Sequence, residues 1–583
     1  MNSSGCVRFR LFSGLWIIAI ICLCFGARMI WNYWHYPHQI ERMAKELSSV
    51  NIIQKAPVAN YSGNLLGIIH TTEQGEGVFI EDIANKSERK LCEAADADYM
   101  PSRDWVFGWS PDDVTLAYSW DYTLNFVGTG SRQTDGKIDD ITNRIQSFTW
   151  LTPTNCAFLD ESQKLVFMQF TAGKWTETAV WQLSSTNGPA QTLQAMGTNA
   201  VAWHTRNFLW QADVSSGEIH HLYSSARKTI GGISYSKDTG AFLVIENTNR
   251  PTISSLVVLS PSADGSMRKN ELTRKSSINS AQWLNKGQGY ACVLGQGDTT
   301  ILAFKNDHAT AEDTLFTNGQ VWSIFCDGEN PRVYALADES SEPAGIWQCN
   351  GNSGDVRCVV SPWGNRDVAF HFQPALTEWA RYKDDSGRNH AARFDLVAPV
   401  NFSPHKKYPL LIGTASYEWT PIPHCVYAQC LANSGAYVAL VNYRWDNRTA
   451  AGVDVFTNNV LAVYDELAKN PNIDKSRVFL FGFSAGTEVV SKLVENYPGR
   501  WRGIMLLNPS PLPKATMGMT SRVLATAGSG ENEEEHFRHY QEELFKVGIP
   551  MDWHIHENAQ HVVRDQTAMY ERTLWMANMV FDE

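Results

Sequence analysis

Three hydrophobic patterns follow one another along the chain. Residues 11–27 (LFSGLWIIAIICLCFGA) form an uncharged run of 17 residues, at the short limit for a helix that crosses a bilayer. Arg8 and Arg10 precede it and Arg28 follows. Trp16, Trp31, Tyr33 and Trp34 lie near its ends, where interfacial aromatics collect. The pattern predicts an N-terminal membrane anchor over residues 1–34, followed by a helical stalk over 35–57. A cleaved signal peptide is the competing reading, with Cys24 at the −3 position for cleavage after Gly26. Both readings put the rest of the chain on the extracytoplasmic side, as a single-pass membrane protein or as a secreted or periplasmic one.

From residue 58 to 365 the pattern is one of short alternating strands and polar turns. A loose unit recurs: an aromatic, a turn, then an apolar strand. It begins at Trp109 (WSPDDVTLAYSW), Trp150 (WLTPTNCAFL), Trp203 (WHTRNFLWQA), Tyr235 (YSKDTGAFLVI), Trp283 (WLNKGQGYACVL) and Phe325 (FCDGENPRVYAL). The intervals are 41, 53, 32, 48 and 42 residues. A repeat of about 40–50 residues is the mark of four-stranded propeller blades. Further hairpins fit before Trp109 and after Phe325, so a β-propeller of six to eight blades is predicted. A pair of β-sandwiches is the competing architecture.

From Tyr408 apolar runs alternate with helical segments. Strands are predicted at Leu410–Ala415, Ala436–Asn442, Val478–Gly482, Gly503–Asn508 and Val523–Ala527. Helices are predicted near 455–469, 485–497, 533–546 and 565–580. Such alternation makes a mostly parallel, doubly wound sheet covered by helices. The second domain is therefore an α/β unit over residues 366–583.

Composition narrows the functional classes. The net charge of −12 argues against a nucleic-acid binder, which presents a basic face. Hydrophobic residues at 43% and charged residues at 19% supply ample material for packed cores. Eleven cysteines in 583 residues do not make a disulfide scaffold. Cys349 with Cys358, and Cys425 with Cys430, are candidate pairs, and free thiols are the alternative. No cluster shows metal-ligand spacing and no nucleotide-binding loop occurs, so neither metal nor cofactor is expected. Asn60, Asn85, Asn401 and Asn447 open N-x-S/T triplets, which carry glycans only in a eukaryotic secretory pathway.

The candidate chemistry sits in FLFGFSAGTEVV. Gly482-Phe483-Ser484-Ala485-Gly486 lies between a buried strand and a helix, the setting of a G-x-S-x-G nucleophile elbow. Small flanking residues let helix and strand approach while the serine stands on a strained turn. The Ala485 amide, at the helix N-terminus, is placed to donate to a developing oxyanion. A nucleophilic serine needs a base, and the base an orienting acid. Among His536, His554, His556 and His561, only His561 follows a strand and a short loop (MDWHIH, ENAQ). His554 and His556 read as ordinary strand residues. Glu531 is the first carboxylate after the strand RVLATA, whereas Glu533 opens a helix whose N-terminal dipole suits acids. The second oxyanion donor is expected from the loop after the first strong strand, with the Tyr417 hydroxyl or a nearby backbone amide as candidates; Tyr417 as an aromatic lid is the competing reading.

Taken in order, WSPDD, LVAPVNFSPHKKYPLLIG (396–413), VNYRW (441–445) and NVLAVYDELAKNPNIDKSRVFLFGFSAG (459–486) resemble the prolyl oligopeptidase family of serine peptidases, including its dipeptidyl-peptidase and acylaminoacyl-peptidase branches. The resemblance covers about residues 58–583. It implies a propeller capping an α/β-hydrolase domain, Ser484 and His561 at the catalytic positions, and short peptides as substrates. Departures are visible. Thr487 stands where the family has a second glycine after the elbow, Trp445 where it has glycine after N-Y-R, and Glu531 where it has aspartate. Tyr417 lies about two residues farther from its strand than the family tyrosine. Ser484 and His561 are 77 residues apart, which is compact. The expectation is a serine peptidase with a Ser484–His561–Glu531 triad and an acyl-enzyme. A carboxylesterase with the same triad and an inactive membrane-anchored binding protein are the alternatives. The oligomeric state is not readable.

Overall fold

A computed structural model describes residues 40–45 and most of 57–581. In the first part of the chain the omitted stretches fall between strands, the longest being 94–106. Later ones are 362–372, 416–420, 443–449, 510–511, 515–520, 529–532 and 557–565. The apolar run 11–27 lies outside the described residues. Among the described residues no helix is long and apolar enough to cross a membrane.

The chain divides into two compact units, one built on Asn51–Asp367 and the other on Val368–Glu557 with Gln566–Glu583. In the first, alternation of period two produces, among the described residues, seven four-stranded antiparallel sheets, each made of four consecutive strands. They span 58–93, 107–138, 145–182, 191–224, 229–275, 277–316 and 321–360. The first strand of each blade touches the first strand of the next, and Val321–Cys326 of the seventh meets Val58–Ala59 of the first. The ring is thus closed, a β-propeller. Side chains bind the blades: Trp109 Nε1–H donates to Val58 O (2.8 Å) and Trp150 Nε1–H to Gly108 O (2.8 Å). Gln282 donates to Ile324 O (3.0 Å) and accepts from Cys326 N–H (2.7 Å). At the closure, Arg332 Nη1 donates to Ser62 O (3.0 Å) and Tyr334 OH to Gly63 O (3.1 Å).

The repeat read from the sequence marks the first strand of five blades. WSPDD is the turn out of such a strand: the Ser110 hydroxyl accepts from Thr115 N–H (2.9 Å), and Asp113 takes a positive φ of 63°. Trp203 is the exception. It lies on the second strand of its blade, Ala200–His204, while the first strand, Gln191–Ala195, ends without an aromatic. This explains the uneven intervals of 53 and 32 residues. The cysteine pairing is not observed across the last hairpin. Cys349 faces Val356 and Cys358 faces Trp347 in the register, so no disulfide joins the two, and buried Cys430 is not in a disulfide either. Asn60 is only 3% exposed and its Oδ1 accepts from the amides of Asn64 and Leu65 (3.0 Å each), so it is a turn residue rather than a glycan acceptor.

One charge cluster is built into the propeller. Glu246 is fully buried. It accepts from Lys269 Nζ (2.8 Å), Lys228 Nζ (3.1 Å), Tyr223 OH (2.5 Å) and Ser225 Oγ (3.0 Å). Burial alone would raise its pKa, but these hydrogen bonds and the Lys269 charge outweigh it and hold the carboxyl down at about 2.

Among the described residues the second unit is one eight-stranded sheet with helices. Its strands are β1 (Leu376–Lys383), β2 (Asn389–Val397), β3 (Tyr408–Ala415), β4 (Tyr437–Asn442), β5 (Ile473–Phe483), β6 (Gly503–Leu507), β7 (Arg522–Gly528) and β8 (Met551–His556). The order is β1-β2-β4-β3-β5-β6-β7-β8. β1, β2 and β4 pair antiparallel, and from β4 to β8 every pair is parallel. The helices are α1 (Pro421–Asn433), α2 (Ala450–Leu467), α3 (Gly486–Asn496), α4 (Glu533–Lys546) and α5 (Gln566–Phe581). Leu410, Ile412, Leu480, Ile504 and Ala525 share one core with Phe456, Val490, Leu493 and Phe537 of α2, α3 and α4. Helices α1 and α5 touch each other and pack on β4 and on β6 and β7, respectively. Helix α1 escaped the sequence pattern for a physical reason. Tyr427 to Ala432 are all buried, and a helix without a polar face has no period of 3.6 to detect. Residues 40–45 are helical; Ile40, Met43 and Ala44 are buried, and Tyr570 of α5 donates to Glu41 (3.4 Å).

Replacing Glu246 by Gln leaves two ammonium groups without their shared counter-charge. The expected cost is about 3–5 kcal/mol, read as a lower denaturation midpoint of the propeller. Because the folded pKa lies below the ordinary 4.5, the wild-type contribution is complete above that value and is lost as pH falls toward about 2. The midpoints of wild type and Glu246→Gln should therefore converge in acid.

Candidate active site

The parallel strands end in register. Ala415 pairs with Phe483, Phe483 with Leu507, Leu507 with Thr526, and Gly528 with His556. The C-terminal ends of β3, β5, β6, β7 and β8 thus form one edge of the sheet, the position where α/β sheets carry their sites.

Ser484 is the first residue beyond β5 at that edge. Its φ is +50°, a left-handed conformation costing a non-glycine residue roughly 1–2 kcal/mol. The neighbours explain how it is held. A Cβ on Gly486 would lie 2.3 Å from Thr414 O, and one on Gly482 would lie 2.8 Å from the carbonyl carbon of Gly486. Helix α3 therefore approaches β3 and β5 more closely than any side-chain-bearing residue permits. Ser484 N–H donates to Leu507 O (2.9 Å), extending the ladder by one bond before the chain turns. Ala485 is the N-cap of α3, so its amide stands at the positive end of the helix.

Two threonines complete the turn; Thr414 carries no signal in the sequence, whereas Thr487 is marked there only as a departure from glycine. The buried Thr414 hydroxyl lies 2.9 Å from Gly486 O and 3.1 Å from Phe481 O, joining the strand and helix sides of the turn. Thr487 places both its amide (2.9 Å) and its hydroxyl (2.5 Å) on Ser484 O. The residue that departs from the expected second glycine is thus accommodated as a second clasp on the serine backbone. Asn508, just beyond β6, also has a positive φ, 48°. Its N–H donates to Thr526 O (2.7 Å) and its Oδ1 accepts from Arg572 Nη2 (2.5 Å). Arg572 of α5 is 2% exposed, so a buried guanidinium braces the backbone beside the elbow. Its partners are 64 residues apart, and nothing local in the sequence signals the pair.

The remaining candidates fall outside the described residues: Tyr417 in 416–420, Glu531 in 529–532 and His561 in 557–565. In sequence they follow β3, β7 and β8, whose ends lie on the same edge as Ser484. His536 is exposed on α4. His554 and His556 lie on β8, and His556 is buried with Nδ1 3.2 Å from Glu571 Oε2. Burial, then the charges of Arg572 and His554, push the His556 pKa down to about 2, so this imidazole is neutral.

No protein-family model matches the chain, and no curated protein matches it. Solved structures do. The chain is similar to a prolyl endopeptidase (TM-score 0.65, 11% identity, 94% of this chain and 92% of that one). It is similar to a puromycin-hydrolyzing peptidase of Mycobacterium tuberculosis (TM-score 0.65, 12% identity, 92% and 96%). It is similar to an acylaminoacyl peptidase of Pyrococcus horikoshii (TM-score 0.60, 11% identity, 92% and 96%). At these identities the likeness is one of fold, and it spans both units.

The close approach at the elbow is open to test. Gly486→Ala must displace Thr414 or α3 and is expected to cost about 3 kcal/mol, seen as a lower denaturation midpoint. Gly499→Ala, where nothing lies within 4 Å of the new methyl group, is expected to leave the midpoint unchanged.

Proposed function

We propose that this chain is a serine peptidase acting on short peptides through an acyl-enzyme. The observation that carries the reading is the left-handed backbone of Ser484, held between two glycines at the C-terminal edge of the sheet. A strained non-glycine residue at that point has a reason to exist if its side chain must stand clear of the edge. Peptides are the favoured substrate class because the fold neighbours are peptidases.

In this mechanism Ser484 Oγ attacks the carbonyl carbon of the scissile bond while His561 takes the hydroxyl proton. The Ala485 amide, with Tyr417 as second donor, stabilises the oxyanion. The C–N bond breaks, and His561 returns the proton to the leaving amine. Water then attacks the Ser484 ester by the same route and releases the acid. Glu531 orients the His561 imidazole and balances its charge. Neighbouring strands lie about 4.8 Å apart, so β7 and β8 stand two and three strands from β5, and acid and base must reach back on loops. That accords with Glu531 and His561 being placed after their strands rather than on them. The proposal extends to location: residues 11–27 anchor the chain in a membrane, with both units on the extracytoplasmic side.

Fluorophosphonate labelling of the purified full chain tests the nucleophile. Labelling of wild type that vanishes in folded Ser484→Ala is expected; an unlabelled, folded wild type would overturn the proposal. With aminoacyl-arylamide substrates, Ser484→Ala and His561→Ala are expected to lower kcat about 10⁶-fold and Glu531→Gln about 10⁴-fold. Turnover of simple aryl esters without turnover of any arylamide would replace the peptidase by an esterase with the same triad.

A further inference from the structure

His554 and His556 are two residues apart on β8, so both rings project from the same face of the edge strand. Across from them stands Glu571 of α5. The His556 Nδ1 lies 3.2 Å and the His554 Nε2 3.8 Å from the same oxygen, Glu571 Oε2. One ligand atom from each of the three residues falls within 4.8 Å of the others. We propose that His554, His556 and Glu571 form a binding site for a divalent transition-metal ion of the zinc class.

The chemistry of the set supports that assignment. Two imidazoles and one carboxylate suit zinc, cobalt or nickel rather than magnesium or calcium. Bonds of 2.0–2.1 Å in a tetrahedron put ligand atoms about 3.3 Å apart. One of the pairs already matches that spacing, and a second is half an ångström wider. The His556 side chain is 2% exposed, so its position is fixed before an ion arrives. His554 and Glu571 are 44% and 36% exposed, which leaves a way in and room for water at the remaining position. Trp575 stacks on His556 (centroids 5.6 Å) and meets His554 edge-on (4.5 Å). It holds both rings in orientation, as outer groups do around metal ligands. Sequence spacing alone does not reveal the set, because Glu571 arrives from the next helix.

An ion here ties the edge strand to the last helix. It does so at His556, the final residue of β8, directly before the stretch that contains His561. The binding inference does not depend on the proposed peptidase activity, and its readout is separate from it.

Zinc titration of the metal-free full chain by calorimetry, with cobalt absorption in the visible range, provides the test. Wild type is expected to bind one equivalent of Zn²⁺ and to unfold at a higher temperature with it. His554→Ala and Glu571→Gln alter half-exposed side chains and are each expected to weaken binding at least about tenfold. His220→Ala, at an exposed His–Glu pair elsewhere (3.6 Å), is expected to bind as wild type does. Absence of a one-equivalent site in wild type would overturn the proposal. So would less than tenfold weakening in both variants, or equal weakening in His220→Ala.

Discussion

The second unit turns on how closely helix α3 comes to strands β3 and β5. The approach is shorter than a Cβ allows at Gly482 and Gly486, and it places a backbone carbonyl of β3 against the first turn of the helix. With that approach granted, Ser484 has no room for an ordinary turn and adopts a left-handed one. Thr414 and Thr487 then find their acceptors on either side of it. Strain at one residue is offset by hydrogen bonds from residues that need no strain themselves. The arrangement is rigid because its members are backbone atoms and short buried side chains, which have few alternative positions.

Much of this architecture is legible in the chain. Strands buried on both faces are written as unbroken apolar runs, so β3 to β7 stand out, and the elbow is marked by its glycines. What is not legible shares one cause: the interacting residues are distant in sequence. Asn508 and Arg572 are a polar residue after a strand and a cation in a helix until the fold brings them together. Thr414 looks like any strand threonine. His554 and His556 read as alternating strand residues, and only the return of α5 sets Glu571 between them. Trp203 opens the same aromatic–turn–strand unit as the others yet lies on the second strand of its blade, because first and second strands are equally apolar. Helix α1 shows no stripe because its described residues Tyr427 to Ala432 are buried on every side. Tyr417, Glu531 and His561 belong to loops, where sequence names the residue and the fold only fixes where the loop begins.

The propeller obeys a different constraint. Each blade must cover the apolar face of its neighbour, and the ring must close on itself. Indole N–H groups of Trp109 and Trp150 satisfy backbone carbonyls of the preceding blade, so the residues that supply apolar area also satisfy polar atoms at the centre. Glu246 does related work farther out, collecting groups from two blades around one buried charge. These are specific bonds in an otherwise generic packing of sheets, and they define which blade sits beside which.

Because every blade consists of four consecutive strands, no strand is lent across the closure. The first and seventh blades meet through Arg332, Tyr334 and the turn at Ser62 and Gly63, the same kind of side-chain-to-carbonyl contact that joins other blades. The closure therefore uses the same kind of bond as other junctions and lacks only their covalent link between blades. In terms of topology, the ring's beginning is a matter of where the peptide chain happens to be cut. A circularly permuted propeller, opened between any two blades and joined between the first and the seventh, would bury the same surfaces and keep the same strand pairs.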